Sequence, residues 1–140
     1  MNKQVIIVIG LPGSGKTTLC QKFIDNGYTI FDDFVGTFYN GDLLTKLISG
    51  IKVCINDPRL CQFPVFIKYI TIIEKYVNRD NIYLVLYDND PQKCLINSKN
   101  RNDNRKGISN TINKYSKLYC IDNYKNWNHE IIKVYCFAEF

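Results

Sequence analysis

The sequence predicts an α/β domain built on a mainly parallel sheet. Three observations carry this expectation. Short apolar runs alternate with stretches of helical periodicity, the first run is almost entirely β-branched, and a glycine-rich turn joins that run to a helix. "KQVIIVIG" lacks the polar alternation of a half-exposed strand, so it reads as a strand covered on both faces. "LPGSG" is the turn, and "KTTLCQKFIDNG" is a helix that Gly27 closes. "YTIF" is a second short strand, and "GDLLTKLISG" a short helix with Asp42 as candidate N-cap. "IKVCIND" is a third strand, punctuated by Pro58. "FPVFIKYITIIEKYV" repeats apolar residues at helical spacing, and "NIYLVLYD" is a fourth strand. "PQKCLINSKNRN" opens with proline at a first helical turn, residues 108–118 form another helix, and "IIKVYCF" is the expected final strand.

A chain of 140 residues, 46% of them hydrophobic, is enough for one domain with one core, taken here as residues 1–140. The apolar run near the start is too short to span a bilayer and carries no cleavage pattern, so the expected location is the cytoplasm, with no membrane partner. The wealth of Ile, Asn, Lys and Tyr points to an AT-rich coding genome, such as that of a virus or phage. Six cysteines without any C-x-x-C pair argue against a zinc site or disulfide framework and for reduced, mostly buried thiols. The net charge of +5 is local. Residues 93–117 hold seven cations against Asp103 alone, which is +6, and leave −1 for the rest of the chain. That segment is a candidate lid for an anionic ligand; a solvated helix face is the plainer reading for Lys93, Lys114 and Lys117.

"GLPGSGKT", Gly10 to Thr17, matches G-x-x-x-x-G-K-[ST] in full, with a strand before it and a helix after it. Glycines let successive N–H groups curl around one anion, and the helix N-terminus adds its partial positive charge. Gly13, Ser14, Gly15, Lys16, Thr17 and Thr18 are therefore the expected nucleotide-binding residues, with Lys16 on the β- and γ-phosphates and Thr17 on Mg²⁺. ATP is expected rather than GTP, because no N-K-x-D motif follows.

In a parallel sheet, functional groups gather at the carboxyl ends of the strands. Asp57, ending "IKVCIND", is either a Mg²⁺ ligand, direct or through water, or a turn-forming acid before Pro58. Asp32, ending "TIFD", is either the general base that takes a hydroxyl proton or an N-cap. Asp33 is the better cap, or a metal contact through water. Arg101 and Arg105, spaced i, i+4, could close together over a triphosphate or lie solvated. Phe34, Phe38 and Tyr39 could stack a base, but core packing is the commoner role for aromatics. Trp127 and His129 lie outside every motif.

The order "VIGLPGSGKTT", "DD", "VCINDPRLC", "NSKNRNDNRKG" resembles the small P-loop kinases that include phage-type polynucleotide 5′-kinase domains and zeta-toxin-like kinases. The resemblance runs from Val5 to about Tyr119. It implies a three-layer P-loop NTPase fold with a five-stranded parallel sheet, ATP with Mg²⁺, and transfer of the γ-phosphate to a hydroxyl. By position, Asp32 matches the general base and Arg101 and Arg105 the lid arginines. Where phage-type polynucleotide kinases carry an arginine for the acceptor's 3′-phosphate, three residues after the base, this chain has Val35. The expected function is an ATP-dependent phosphotransferase. A polynucleotide 5′-hydroxyl, and so single-stranded nucleic acid, is the leading acceptor. A nucleoside, nucleotide or other small-metabolite kinase is the alternative, and a non-catalytic ATP-binding regulatory protein the second.

Overall fold

A computed structural model describes residues 2–38, 42–101 and 107–134; Tyr39, Arg105 and Cys136 lie outside the described residues. Five parallel strands stand in the order β2–β3–β1–β4–β5: β1 Val5–Ile9, β2 Thr29–Asp32, β3 Val53–Asn56, β4 Ile82–Tyr87 and β5 His129–Ile132. Helices α1 Lys16–Asp25, α2 Phe34–Thr37, α3 Leu43–Ile48, α4 Phe63–Ile73, α5 Pro91–Asn100 and α6 Ile108–Leu118 form the connections. The expected five-stranded parallel sheet flanked by helices is the one found.

Burial follows the sequence pattern. β1, β3 and most of β4 are closed to solvent, which is why these strands read as unbroken apolar runs. β1 sits at the centre between β3 and β4, and each buried Val or Ile there stabilises the fold by about 1.5–3 kcal/mol. Phe34 and Phe38 are core side chains, edge-on to each other and to Tyr69 of α4. Trp127 packs edge-on to Phe66 under the guanidinium of Arg79, and His129 holds the Trp127 carbonyl through Nδ1. The five described cysteines are free thiols, four of them buried.

Two local readings are corrected. The final strand begins at His129 and ends at Ile132, earlier than "IIKVYCF" suggested. Among the described residues it is an edge strand that pairs with β4 alone, and it is half exposed, so hydrophobicity does not mark it, whereas the more apolar residues just after it drew the expectation. Asp42 stands at the N-cap position of α3 but makes no capping bond; its carboxylate lies 3.4 Å from Lys46 Nζ, one turn on. By contrast, Asp90 does cap α5, accepting from the Lys93 N–H ahead of Pro91 at the helix start.

The strand order places the topological switch beside β1. From β1 the chain runs out to β2 and back to β3 on one side, and from β3 it crosses to β4 and β5 on the other, so the loops after β1 and β3 diverge at their carboxyl ends. Those loops hold the glycine-rich turn and Asp57, and the adjoining end of β2 carries Asp32, with Asp33 directly after it.

Candidate active site

The glycine-rich loop turns tightly between β1 and α1. Gly13 has φ 85, and a Cβ added there would lie 2.5 Å from the Cys94 carbonyl oxygen of α5, so glycine is required on both counts. Asn97 of α5, fully buried, donates from Nδ2 to the Gly13 carbonyl, and Tyr87 at the end of β4 donates from its hydroxyl to that of Gly15. α1 starts at Lys16 with no capping side chain and no acid in its first turn, which leaves its positive end to an anion.

Lys16 is only 7% exposed, and its ammonium donates to the carbonyls of Gly10 (2.8 Å) and Leu11 (2.7 Å) and to Ser14 Oγ (3.3 Å). These bonds use all three of its protons. Burial lowers its pKa to about 8. The neighbouring thiols Cys61 and Cys94 are pushed up to about 12 by burial and stay neutral, so they offer no nucleophile beside the loop.

The acids part company at the ends of β2 and β3. Asp32 pairs in register with Asn56, and the Asn56 amide donates to Asp32 Oδ1 at 2.8 Å. Asn56 is 8% exposed, and its own Oδ1 has no partner among the described residues. Asp57 is 1% exposed and saturated: it accepts from the N–H groups of Val35 and Arg59 and from Nε and Nη2 of the Arg59 guanidinium. It caps the short 3₁₀ turn Pro58–Cys61, which is the turn role weighed for it. Asp33 precedes α2 with φ 48 and makes no capping bond; its carboxylate faces Arg59 Nη2 instead. The bond to Asp57 raises the Arg59 pKa further, so the guanidinium is a fixed charge.

Three cavities run side by side across these loops. The middle one, about 130 Å³, is lined by Gly13, Gly15, Lys16, Thr17, Asn56 and Arg101 among others. On the side of β4 and β5, a cavity of about 290 Å³ meets it at Gly15 and reaches Thr18, Tyr87, Ile132 and Lys133. On the side of α6, a cavity of about 420 Å³ meets it at Pro12 and Pro58 and holds Asp33, Asp57, Arg59 and Tyr115. The structure thus gathers Lys16, Thr17 and Arg101 on one cavity wall, with Asp32 tied to Asn56 beside it. Asn56, Arg59 and Asn97 were not singled out from the sequence. "VCINDPR" contains the first two, but only strand register and turn geometry reveal what they hold. Among the described residues, no three His, Cys, Asp or Glu side chains converge as a metal site.

No family model matches the chain. The "Uncharacterized protein R277" of Acanthamoeba polyphaga mimivirus is 49% identical over 137 residues, which cover 96% of this chain and 99% of that protein. Among solved structures, a chain of the PezAT chromosomal toxin–antitoxin system of Streptococcus pneumoniae matches 98% of this chain and 72% of its own length, with TM-score 0.61 and 18% identity. Deoxyadenosine kinase from M. mycoides with bound dATP matches 92% of this chain and 90% of its own length, with TM-score 0.49 and 12% identity. The first structural likeness and the sheet order together give the three-layer P-loop fold.

Proposed function

We propose that this chain, which belongs to the family of the mimivirus protein R277, is an ATP-dependent kinase that moves the γ-phosphoryl group to a hydroxyl acceptor. The observation that carries the reading is Asp32. Its carboxylate accepts from the amide of Asn56, and Asn56 lines the same cavity as Lys16, Thr17 and Arg101. A binding protein needs the loop but not that acid.

The triphosphate lies along the middle cavity, its charge met by the α1 N-terminus and Lys16, which turns from the Gly10 and Leu11 carbonyls to the phosphates. The nucleoside end takes the cavity between Gly15 and Ile132, and the acceptor the cavity beside Arg59. The acceptor oxygen bonds to the γ-phosphorus while the bond from that phosphorus to the β–γ bridging oxygen breaks. ADP leaves with the bond's electron pair, and the hydroxyl proton passes to Asp32. Arg101 offsets charge on the group in transit, and residues 93–117 are the segment that would close over it. Mg²⁺ arriving with ATP would neutralise phosphate charge. Thr17 fits as its hydroxyl donor, whereas Asp57 has both oxygens occupied by Arg59 and backbone N–H groups and does not fit as a ligand. The protein would work in the cytoplasm.

A polynucleotide 5′-hydroxyl is the acceptor that the order of motifs suggests. Against it, the position that would grip a 3′-phosphate is Val35, whose N–H is engaged by Asp57. The small-acceptor reading therefore leads. The test is transfer of labelled γ-phosphate to a panel of nucleosides, sugars, nucleotides and 5′-hydroxyl oligonucleotides. Asp32→Asn should cut kcat by about 10²–10⁴ while leaving ATP affinity within about threefold. Hydrolysis without transfer to any acceptor, unchanged in Asp32→Asn, would overturn the kinase reading in favour of an ATP-binding regulator.

A further inference from the structure

Helix α5 is fitted to the glycine-rich loop at Gly13. The Cys94 carbonyl oxygen and Ser98 Oγ would lie 2.5 and 2.8 Å from a Cβ placed there, so the loop backbone sits in a notch between two residues one turn apart on α5. Asn97, in the same notch, donates from Nδ2 to the Gly13 carbonyl at 3.0 Å. Cys94 and Asn97 are 0% exposed and Ser98 is 3% exposed. Surfaces packed this closely, with a hydrogen bond across them, transmit a displacement rather than absorb it.

The same residue also meets Arg101. The Arg101 N–H donates to the Asn97 carbonyl at 3.1 Å and closes the helix. Arg101 therefore stands one turn beyond the notch, about 6 Å along the axis. It lines the cavity that Gly13, Gly15, Lys16 and Thr17 also line. A second tether comes from the strand before α5, where the Tyr87 hydroxyl donates to the Gly15 carbonyl at 3.1 Å.

We propose that Asn97 is a positioning residue that couples Arg101 to the glycine-rich loop, so that one buried contact sets both the loop's grip on the phosphates and the place of the arginine beside them. The inference rests on the kinase reading and adds to it a residue too deeply buried to touch nucleotide or acceptor. Asn97 acts through the Gly13 carbonyl on one side and the last turn of α5 on the other. A shift of about 1 Å in a group that stabilises the transferring phosphoryl can cost about 10²-fold in rate, and loss of the contact frees α5 to make such a shift.

The experiment is a double-mutant cycle on the full chain. Asn97→Leu keeps the side chain's volume and removes the donor; Asn97→Ala, run beside it, cannot overfill the notch. Each is made alone and together with Arg101→Ala. ADP formation at saturating ATP, with Mg²⁺ and the acceptor panel, gives kcat, and titration with a non-hydrolysable ATP analogue gives affinity. Tyr124→Phe, which loses a buried hydrogen bond away from the cavities, controls for lost stability and should keep its kcat. Asn97→Leu should lower kcat by about tenfold or more and Arg101→Ala by about 10²-fold. The double variant should stay within about threefold of Arg101→Ala, because a misplaced arginine and an absent one fail alike. Losses that multiply in the double variant, or an Asn97 variant with native kcat, overturn the coupling and leave the kinase reading intact. If the chain binds the analogue but forms no ADP with any acceptor, the kinase reading falls. The same cycle in affinity then decides the coupling: losses that fail to multiply support it, and losses that multiply overturn it.

Discussion

The lowered pKa of Lys16 makes nucleotide affinity depend on pH in a window where few other groups titrate. In the free protein the ammonium is buried and its pKa sits at about 8, because burial favours the neutral amine. A bound triphosphate favours the charged form, so binding above this pKa takes up a proton. The protonated fraction of the free protein falls from about 0.8 near pH 7.5 to about 0.03 near pH 9.5, so ATP should bind about 25-fold more weakly at the higher pH, ~1.9 kcal/mol. Affinity is full below the free-state pKa and is lost as pH rises through it. Cys61 and Cys94, next to the same ammonium, are pushed up to about 12 and stay silent across the window. Isothermal titration of a non-hydrolysable ATP analogue in buffers of different ionisation enthalpy measures both the affinity and the proton uptake. Lys16→Arg, which stays charged throughout, should flatten the profile. A flat profile in the native chain, or an equal loss in Lys16→Arg, would refute the assignment of Lys16 to the phosphates.

Gly13→Ala sets a Cβ 2.5 Å from the Cys94 carbonyl at φ 85, so it should cost about 1–3 kcal/mol in urea unfolding and remove ATP binding. Asn97→Ala removes the buried donor that holds the Gly13 carbonyl. It should lower stability by about 1–3 kcal/mol and also weaken ATP measurably, a joint loss that titration and thermal melts can separate. Tyr124→Phe deletes a buried hydroxyl that donates to the Leu60 carbonyl at 2.6 Å, away from the cavities. It should cost about 1–2 kcal/mol in denaturant unfolding with ATP affinity unchanged.

What could be read from the sequence was what is local in the chain. "GLPGSGKT" states its own backbone requirement, and β1 states its burial, because a strand at the centre of a parallel sheet has no face to leave polar. β5 was misplaced for the opposite reason: at the sheet edge its residues are half exposed, and hydrophobicity carries little information there. The partners of the acids were not legible. Asp32 meets Asn56 only because β2 and β3 pair in one register, 24 residues apart in sequence, and a slip of one residue would put the two side chains on opposite faces. Asp57 hid a different fact. Its position suggested a metal ligand or a turn, and the turn brings Arg59 back onto its carboxylate, which only the folded geometry could decide.

The backbone at Asp33 explains how two adjacent carboxylates meet different partners. Along an extended strand neighbouring side chains point to opposite faces, but beyond the last residue of β2 no ladder enforces that alternation. Left there without counter-ions, two negative charges would repel and drag on the use of either one. The chain turns left-handed at Asp33, a conformation that costs a non-glycine residue about 1–2 kcal/mol but that aspartate tolerates better than most. The turn hands Asp33 to Arg59 and leaves Asp32 to a neutral amide. A neutral partner orients a carboxylate without cancelling its charge, and a guanidinium does both. On the kinase reading proposed above, Asp32 is the acid that would take the hydroxyl proton. Asp33 and Asp57 instead share Arg59 beside it.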